Sequence, residues 1–479
     1  MVRGRRFVFM CVVGLGGALA GCGPQTAAPP PDERVPSEPN ILFIVADALR
    51  ADRVAATRNG KPVMPQMQQL ASESWNYRRA RVQATWTKPS MATMFTSLYP
   101  EVHNVLFGIH DTAFEGQPPE ADILPGEMET MAEYLKAHGY SSAGVQSNAN
   151  ITAVFGFDQG FDSYEFLAYP EYRGNDMTDR AIRALDDLRP PFLLYAHYMD
   201  THAPYEPVEP YRDSFGAPPE ITPDDAALLN DYPNTYLDRV LFETGLTQER
   251  EFGNLSSQGE AYIRQRYDEE ALFLDAEVAR LIESVRIRYP DTIVIFTSDH
   301  GEELWEHGSI GHGKTVFEEL THVPLIISVP GASARTIESP VELVDLLPTC
   351  SALLGLAPRE TWQGKGMMPD AVDVGETKPA FSSTRMSIPG SNVDLAAVVV
   401  ENEKLIVNRK TESAAYFDLT RDPEETNPQS DFAAGTALQE VLAAHMKTMQ
   451  SHPQYGRPSE KTRVDDGTRE AIENIGYIR

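Results

Sequence analysis

Apolar residues along this chain follow two patterns. In the first, short apolar runs are continuous rather than alternating. One opens after Asn40 and closes on Asp47 (N-I-L-F-I-V-A-D). A second opens at Phe192 and closes on Asp200 and His202 (F-L-L-Y-A-H-Y-M-D-T-H). A third, Ile293 to Phe296, stops at Ser298, Asp299, His300 and Gly301. Unbroken apolarity marks strands buried on both faces, as in a parallel sheet. Ligands collect at the carboxyl edge of such a sheet. Three strands ending in Asp or His would therefore converge on one patch. An Asp–His pair there offers one hard carboxylate oxygen and one imidazole nitrogen, a donor set for a divalent metal. Any one of these ends reads equally as a polar loop with a satisfied histidine; the three together favour the metal.

The second pattern has helical spacing. It predicts helices over Pro65 to Trp75, Gly126 to His138, Thr178 (as cap) to Leu188, Tyr267 to Val285, and Val341 to Leu354 with a bend near Pro348. Ser142 to Asn148 and Val323 to Val329 read as further strands. Around Lys378 the style changes. Leu395–Val400 and Lys404–Asn408 predict an antiparallel hairpin, Ala414–Asp418 the next strand, and Ala437 to Gln450 a helix. The expected fold is α/β: a large central, mostly parallel sheet flanked by helices over 39–378, with a small C-terminal antiparallel sheet-plus-helix subdomain over 379–479. Residues 203–262 are Pro-rich and irregular, a length that suits either a specificity loop or a surface excursion.

Charge and the amino terminus narrow the class. Arg3, Arg5 and Arg6 precede an apolar run from Phe7 to Ala20, too short to span a membrane comfortably. Leu19-Ala20-Gly21-Cys22 resembles a bacterial lipobox. That resemblance implies a signal peptide over 1–21, lipid on Cys22 and a Pro-rich tether over 22–38. An ordinary secretory signal or an uncleaved anchor are the other readings. The expected location is the cell envelope, lipid-anchored to a bacterial membrane on its periplasmic or extracellular face. Of three cysteines, Cys11 would leave with the leader and Cys22 would carry lipid, so Cys350 has no partner for a disulfide. The net charge of −29 argues against nucleic acid as a partner. It also means that an anion site must be locally positive.

Thr87 stands at a helix entrance, T-K-P-S-M-A-T-M-F-T, as a plausible N-cap with Pro89 in the first turn. A helix N-terminus favours phosphate or sulfate. A hydroxyl there becomes a nucleophile if a metal strips its proton; alone it reads as a capping threonine. Six spaced motifs now agree. They are P-N-I-L-F-I-V-A-D-A-L-R-A-D from Pro39, T-K-P-S-M-A-T-M-F-T-S-L-Y-P-E-V-H-N-V from Thr87, H-Y-M-D-T-H-A-P-Y from His197, S-D-H-G-E-E-L-W-E-H-G from Ser298, V-E-L-V-D-L-L-P-T from Val341 and Y-F-D-L-T-R-D-P-E-E-T from Tyr416. In content and order they resemble the sulfatase branch of the alkaline-phosphatase superfamily, over about residues 39–430. The closing I-G-Y-I-R is also similar to the family's tail.

The resemblance implies Asp47, Asp299 and His300 as ligands of one divalent ion (Ca, Mn, Mg and Zn are not distinguished), with Ala46 where many sulfatases have a second aspartate. It implies Thr87 as nucleophile and a further ligand, although sulfatases carry a cysteine or serine converted to formylglycine within C/S-x-P-S-R. Threonine cannot yield formylglycine, and Met91 replaces the supporting arginine. Threonine serves in relatives that act on phosphorus, such as nucleotide pyrophosphatases/phosphodiesterases, lipoteichoic acid synthases and phosphoethanolamine transferases. His202 is the expected acid. His312 or Lys314 would contact the anionic oxygens, and Asn148 would donate to a substrate oxygen. His197 reads as a core histidine, Glu302 and Glu303 as loop scaffold. The expectation is a metal-dependent hydrolase or transferase of an anionic ester, a phosphate mono- or diester first. The alternatives are sulfate-ester hydrolysis without formylglycine, and a degenerate binding lipoprotein.

Overall fold

Eight strands make the central sheet: β1 Ile41–Ala46, β2 Trp75–Tyr77, β3 Ser141–Gln146, β4 Ser163–Phe166, β5 Phe192–Tyr198, β6 Ile293–Ser298, β7 Leu325–Ser328 and β8 Arg335–Ile337. Their spatial order is β8-β2-β7-β6-β1-β5-β3-β4. The five neighbours from β6 to β4 are all parallel, and β7 runs antiparallel to both strands beside it. The unbroken apolar runs have a simple cause. Along β1, Ile41, Phe43 and Val45 enter one core, while Leu42, Ile44 and Ala46 enter the core on the opposite face. Register brings Ala46 level with Ser298 on one side and Tyr198 on the other. Asp47 and Asp299 therefore leave the sheet together at its carboxyl edge.

Helices cover both faces. α1 (Pro65–Ser72), α4 (Gly174–Ala184) and α5 (Ser257–Arg288) pack on one through Met67, Met177, Leu274, Val278 and their neighbours. α2 (Thr87–Thr96), α3 (Met131–Ala137) and α6 (Leu346–Leu353) pack on the other through Met91, Phe95, Met131, Leu346 and Leu347. A separate four-stranded antiparallel sheet follows: Ala380–Arg385, Asp394–Val400, Glu403–Asn408 and Ala414–Asp418, in sequence order. α7 (Phe432–Gln450) seals it with Leu438 and Leu442. Its first strand touches the main body where Ser383 N donates to Gln83 O at 2.9 Å.

This computed structural model describes residues 38–108, 120–230, 254–372, 378–385, 393–429, 432–464 and 466–474. The expected signal peptide, Cys22 with its lipid, the tether up to residue 37 and the closing I-G-Y-I-R lie outside the described residues. Within them, no helix is long and apolar enough to cross a membrane.

Several boundaries differ from expectation, each for a local reason. α3 starts at Met131 rather than Gly126, because Thr130 and Glu133 form a reciprocal capping box. α4 starts at Gly174, and Thr178 is mid-helix, its hydroxyl 2.9 Å from the Tyr198 hydroxyl. α5 extends ten residues before Tyr267, capped by Ser256. Val341 to Leu354 is not one bent helix: a short strand and a 3-10 turn precede α6, which leaves Pro348 in its first turn, where no backbone donor is needed. The helix expected from Pro65 to Trp75 stops at Ser72, and Trp75 belongs to β2.

After β6 the chain is pinned backbone to backbone. Gly301 N donates to Leu320 O at 2.9 Å and Glu302 N to Glu319 O at 3.1 Å. A Cβ at Gly301 would lie 1.8 Å from Glu319 O, with only main chain to yield. Gly301→Ala is expected to cost about 3 kcal/mol of stability, read as a lower urea midpoint at unchanged slope.

Candidate active site

Asp47 is the first residue beyond β1. Its amide donates to Tyr198 O at 2.8 Å, and its carbonyl accepts from the Thr201 hydroxyl at 2.6 Å. Ala48 then takes a left-handed turn at φ 58°, a conformation that a non-glycine residue adopts at a cost and that recurs at functional sites. The turn aims Ala48 N at Asp299 Oδ1, 3.2 Å away. His300 N donates to the same oxygen at 3.0 Å. Two backbone amides thus fix the Asp299 carboxylate.

Thr87 enters from the other side. Trp86, not Thr87, holds the extended cap position, and Thr87 is the first helical residue of α2. Its hydroxyl is therefore not used in capping. It donates to Asp47 Oδ2 at 3.3 Å and accepts from Asn148 Nδ2 at 3.0 Å. Asn148 also donates to Asp47 Oδ2 at 2.6 Å, and its own oxygen is occupied by Asn150 N at 2.8 Å, which fixes the amide's orientation. Ser90, one turn along α2, donates to Asp299 O at 2.5 Å and locks the helix to the loop.

A third donor to Asp47 Oδ2 is His197 Nε2, at 3.0 Å. The expected core histidine is fully buried with both ring nitrogens partnered, and one of those partners is the site carboxylate. Its register partner in β1 is Val45, and it meets Asp47 just past that strand's end. The Tyr195 hydroxyl, 2.7 Å from Nδ1, leaves the proton on Nε2. Asp200, expected at the same patch, turns away instead, accepting from Arg173 Nε at 3.1 Å and Gly174 N at 3.0 Å.

His300 Nδ1 is 2.8 Å from Gly301 O. A ring that donates there keeps a lone pair on Nε2. That nitrogen lies 3.4 Å from Thr87 Oγ1, 3.5 Å from Asp299 Oδ2 and 3.7 Å from Asp47 Oδ1. Both of those carboxylate oxygens are buried without a hydrogen-bond partner. One ligand atom from each of Asp47, Asp299 and His300 lies within 4.8 Å of the others. Two unsatisfied oxygens and one imidazole lone pair facing a common point are the donor set of a hard or borderline divalent cation. The residues fit that group.

Electrostatics point the same way. Burial raises Asp47, but the His197 hydrogen bond and the fields of His202, His300 and His197 outweigh it and hold the carboxyl below its usual range. Burial, then the charge of Asp47, push Asp299 well above its usual value. The pair is thus set against itself until a cation neutralises both.

Two more imidazoles border the cluster. His312 lies against His300, ring centroids 4.2 Å apart, and His202 is edge-on to His312 at 5.0 Å. His312 Nδ1 is 2.9 Å from Glu302 Oε1, so Glu302, expected as scaffold, backs this ring. His202 Nδ1 meets the Ala203 carbonyl at 2.6 Å, and burial pushes its pKa down. Lys314 is held in its loop by Ser309 and by Ile310 O at 3.3 Å. His307 stacks on Phe317 beside Glu319. Met91 is wholly buried in the apolar core, and Lys88 Nζ lies 3.4 Å from the centre of the Phe155 ring. Asp47, Thr87, Asn148, Asp299 and His300 are all closed to solvent.

The sulfatase family model matches residues 39–356. The uncharacterized sulfatase YidJ of Escherichia coli K12 is 23% identical over 437 residues, covering 81% of this chain and 82% of its own. Among solved structures, BT4656 in complex with its substrate D-glucosamine-2-N,6-O-disulfate superposes at TM-score 0.67 and 18% identity, over 88% of this chain and 100% of that one. A phosphonate monoester hydrolase from Silicibacter pomeroyi does so at 0.66 and 19%, over 90% and 100%. With well over half its length inside that family model, the chain belongs to the sulfatase family.

Proposed function

We propose that this enzyme hydrolyses phosphate mono- or diesters through Thr87. The observation that carries the reading is the threonine itself. It is the first residue of α2, uncapped, its hydroxyl shared between Asp47, Asn148 and His300. A divalent cation held by Asp47, Asp299 and His300 would supply a Lewis acid that favours the threonine alkoxide and screens the phosphoryl oxygens.

This chain's own groups account for the protons. Thr87 Oγ1, as the alkoxide, forms a bond to phosphorus as the bond to the leaving oxygen breaks. Asn148 steadies the attacking oxygen. The leaving oxygen takes a proton from His312 Nε2, whose imidazolium is stabilised by Glu302 on its other nitrogen. His202 was expected in this role. A neutral carbonyl behind its ring and a lowered pKa make it the poorer donor. Water then attacks the phosphothreonine and gives a proton to His312, and the Thr87 oxygen departs as the alkoxide. One ester bond and one water are consumed; an alcohol and phosphate are released. Location at a membrane through lipid on Cys22 belongs to the same proposal.

A second reading, sulfate-ester hydrolysis, is supported by the disulfated substrate of the structural neighbour. It would forgo the formylglycine exit, because a threonine sulfate has no second hydroxyl to expel the group, and would depend on water attack at sulfur. Purified enzyme is expected to cleave bis-aryl or aryl phosphate in preference to aryl sulfate when supplied with Mn²⁺, Ca²⁺, Mg²⁺ or Zn²⁺. Thr87→Ala is expected to lower kcat ~10³-fold or more with an unchanged melting temperature. Turnover unaffected by that change would remove the nucleophile.

The carboxylate pair generates a separate expectation. A cation that binds only the folded protein raises its melting temperature. Asp299→Asn removes one of the opposed charges while keeping an oxygen for the Ala48 and His300 amides. It is expected to melt at or above the metal-free wild type and to lose the cation's stabilisation. A cation response retained in Asp299→Asn would refute the site.

A further inference from the structure

His312 is carried by a hairpin too small to hold its own shape. Glu303–Leu304 pairs with Ile310–Gly311, two residues on each side, and so short a ladder is not stable alone. Its turn includes Trp305 at φ 79°, a left-handed conformation for a bulky residue. Part of the support is apolar: Leu304, Trp305 and Ile310 pack on Leu255, Ile263 and Tyr267. Beside the Lys314 contacts to Ser309 and Ile310 and the hydrogen bond of the Glu302 amide to Glu319 O, a polar cluster converges on Glu306. Its Oε2 accepts from Leu304 N at 2.6 Å, which closes the turn. Its Oε1 accepts from Arg50 Nη1 at 2.6 Å and Arg264 Nη1 at 2.5 Å.

Arg50 is three residues after Asp47. Its backbone is fixed by Tyr267, whose hydroxyl accepts from Arg50 N at 3.0 Å and donates to Ala48 O at 2.7 Å. Its guanidinium reaches Glu306 and also the carbonyl of Glu302, at 3.3 Å. Arg264 comes from α5. The same cation therefore grips the hairpin at its turn and at its base, from the segment that bears Asp47. Glu302, at that base, is the residue behind His312.

We infer that Arg50, Glu306 and Arg264 form a clamp of positioning residues, which sets the Glu302–His312 pair against the leaving oxygen by tying its hairpin to the Asp47 segment and to α5. The inference deepens the proposed function and rests on its assignment of His312 as proton donor. The clamp has no contact with Thr87, and Tyr267 holds the Arg50 backbone independently of its guanidinium, so loss of the clamp is expected to act chiefly through the donor. An ester whose leaving group departs unprotonated should hardly notice.

The test compares a 4-nitrophenyl with a phenyl phosphodiester on the full chain with its cation. Glu306→Gln is expected to slow the phenyl ester ~30-fold while the nitrophenyl ester changes by under ~3-fold, a share of the 10²–10⁴ that general acid catalysis supplies. Arg264→Gln, a milder change at a partly exposed residue, should shift the ratio the same way by less. Arg50→Lys, which keeps the charge, should restore most of the ratio that Arg50→Gln loses. Urea midpoints measured alongside identify a variant that is merely unfolded, and Arg264→Gln then carries the comparison. His312→Ala is the control. If it affects the phenyl ester selectively and the clamp variants slow both esters equally, the clamp inference is overturned and the proposed function stands. If His312→Ala also slows both equally, the donor assignment fails and the clamp inference with it.

Discussion

Two carboxylates oppose each other in a fully buried cluster, and the surrounding structure is arranged to keep them so. Asp47 and Asp299 are wholly buried, their unpaired oxygens lie 3.7 and 3.5 Å from the His300 nitrogen, and one ligand atom from each of the three residues lies within 4.8 Å of the others. At that spacing two negative charges repel by about 3 kcal/mol even at an effective dielectric near ~20. The fold accepts this by satisfying every oxygen it can. Three side chains donate to Asp47 Oδ2 and two backbone amides to Asp299 Oδ1. What remains unsatisfied all faces one point. Donors from five separate segments would not be spent on that arrangement unless the point were to hold positive charge.

That constraint explains why so much of the sheet could be read from the sequence. Metal ligands at a carboxyl edge require level strand ends, and level ends require neighbouring parallel strands buried on both faces. Their residues are then apolar without interruption, as in I-L-F-I-V and I-V-I-F, and the polar stop that follows is conspicuous. The candidate ligand set of Asp47, Asp299 and His300 came with it. The hidden members were those whose role depends on direction. Asp200 and His197 lie three residues apart, and the strand end advertises Asp200. Its side chain, however, meets Arg173 and the start of α4, while His197 inside the strand reaches Asp47. Only the register beside Val45 distinguishes them. Helix starts failed differently: the Thr130–Glu133 box was legible as T-x-x-E, but the apolar period continued past it.

Glu302 and Glu306 were beyond reach for another reason. Each is one acidic residue in a loop rich in them, S-D-H-G-E-E-L-W-E-H-G. Their partners, His312, Arg50 and Arg264, are distant in sequence or lie in other elements. A short hairpin has no periodicity to betray which side faces inward. Its position is decided by tertiary contacts with α5 and the Asp47 segment, and those come from the packed structure alone.

The sequence around Thr87 keeps a motif's shape while its chemistry differs. Pro89 and Ser90 remain in the first turn of α2, and Ser90 still ties the helix to Asp299 O. Yet Met91 fills the arginine's place as a core side chain, and Lys88 points to Phe155 and the Asp122 carbonyl rather than to Asp47. Neither supports an aldehyde hydrate. A threonine ester, lacking the second hydroxyl of such a hydrate, can be resolved only by an incoming nucleophile. That nucleophile must lose a proton at the point where the leaving group gained one. An imidazole backed by a carboxylate meets both demands in turn, and His312 with Glu302 provides it beside the metal ligands. In the proposed mechanism, a threonine in place of the convertible residue transfers the second half of the reaction from the nucleophile to the hairpin that faces it.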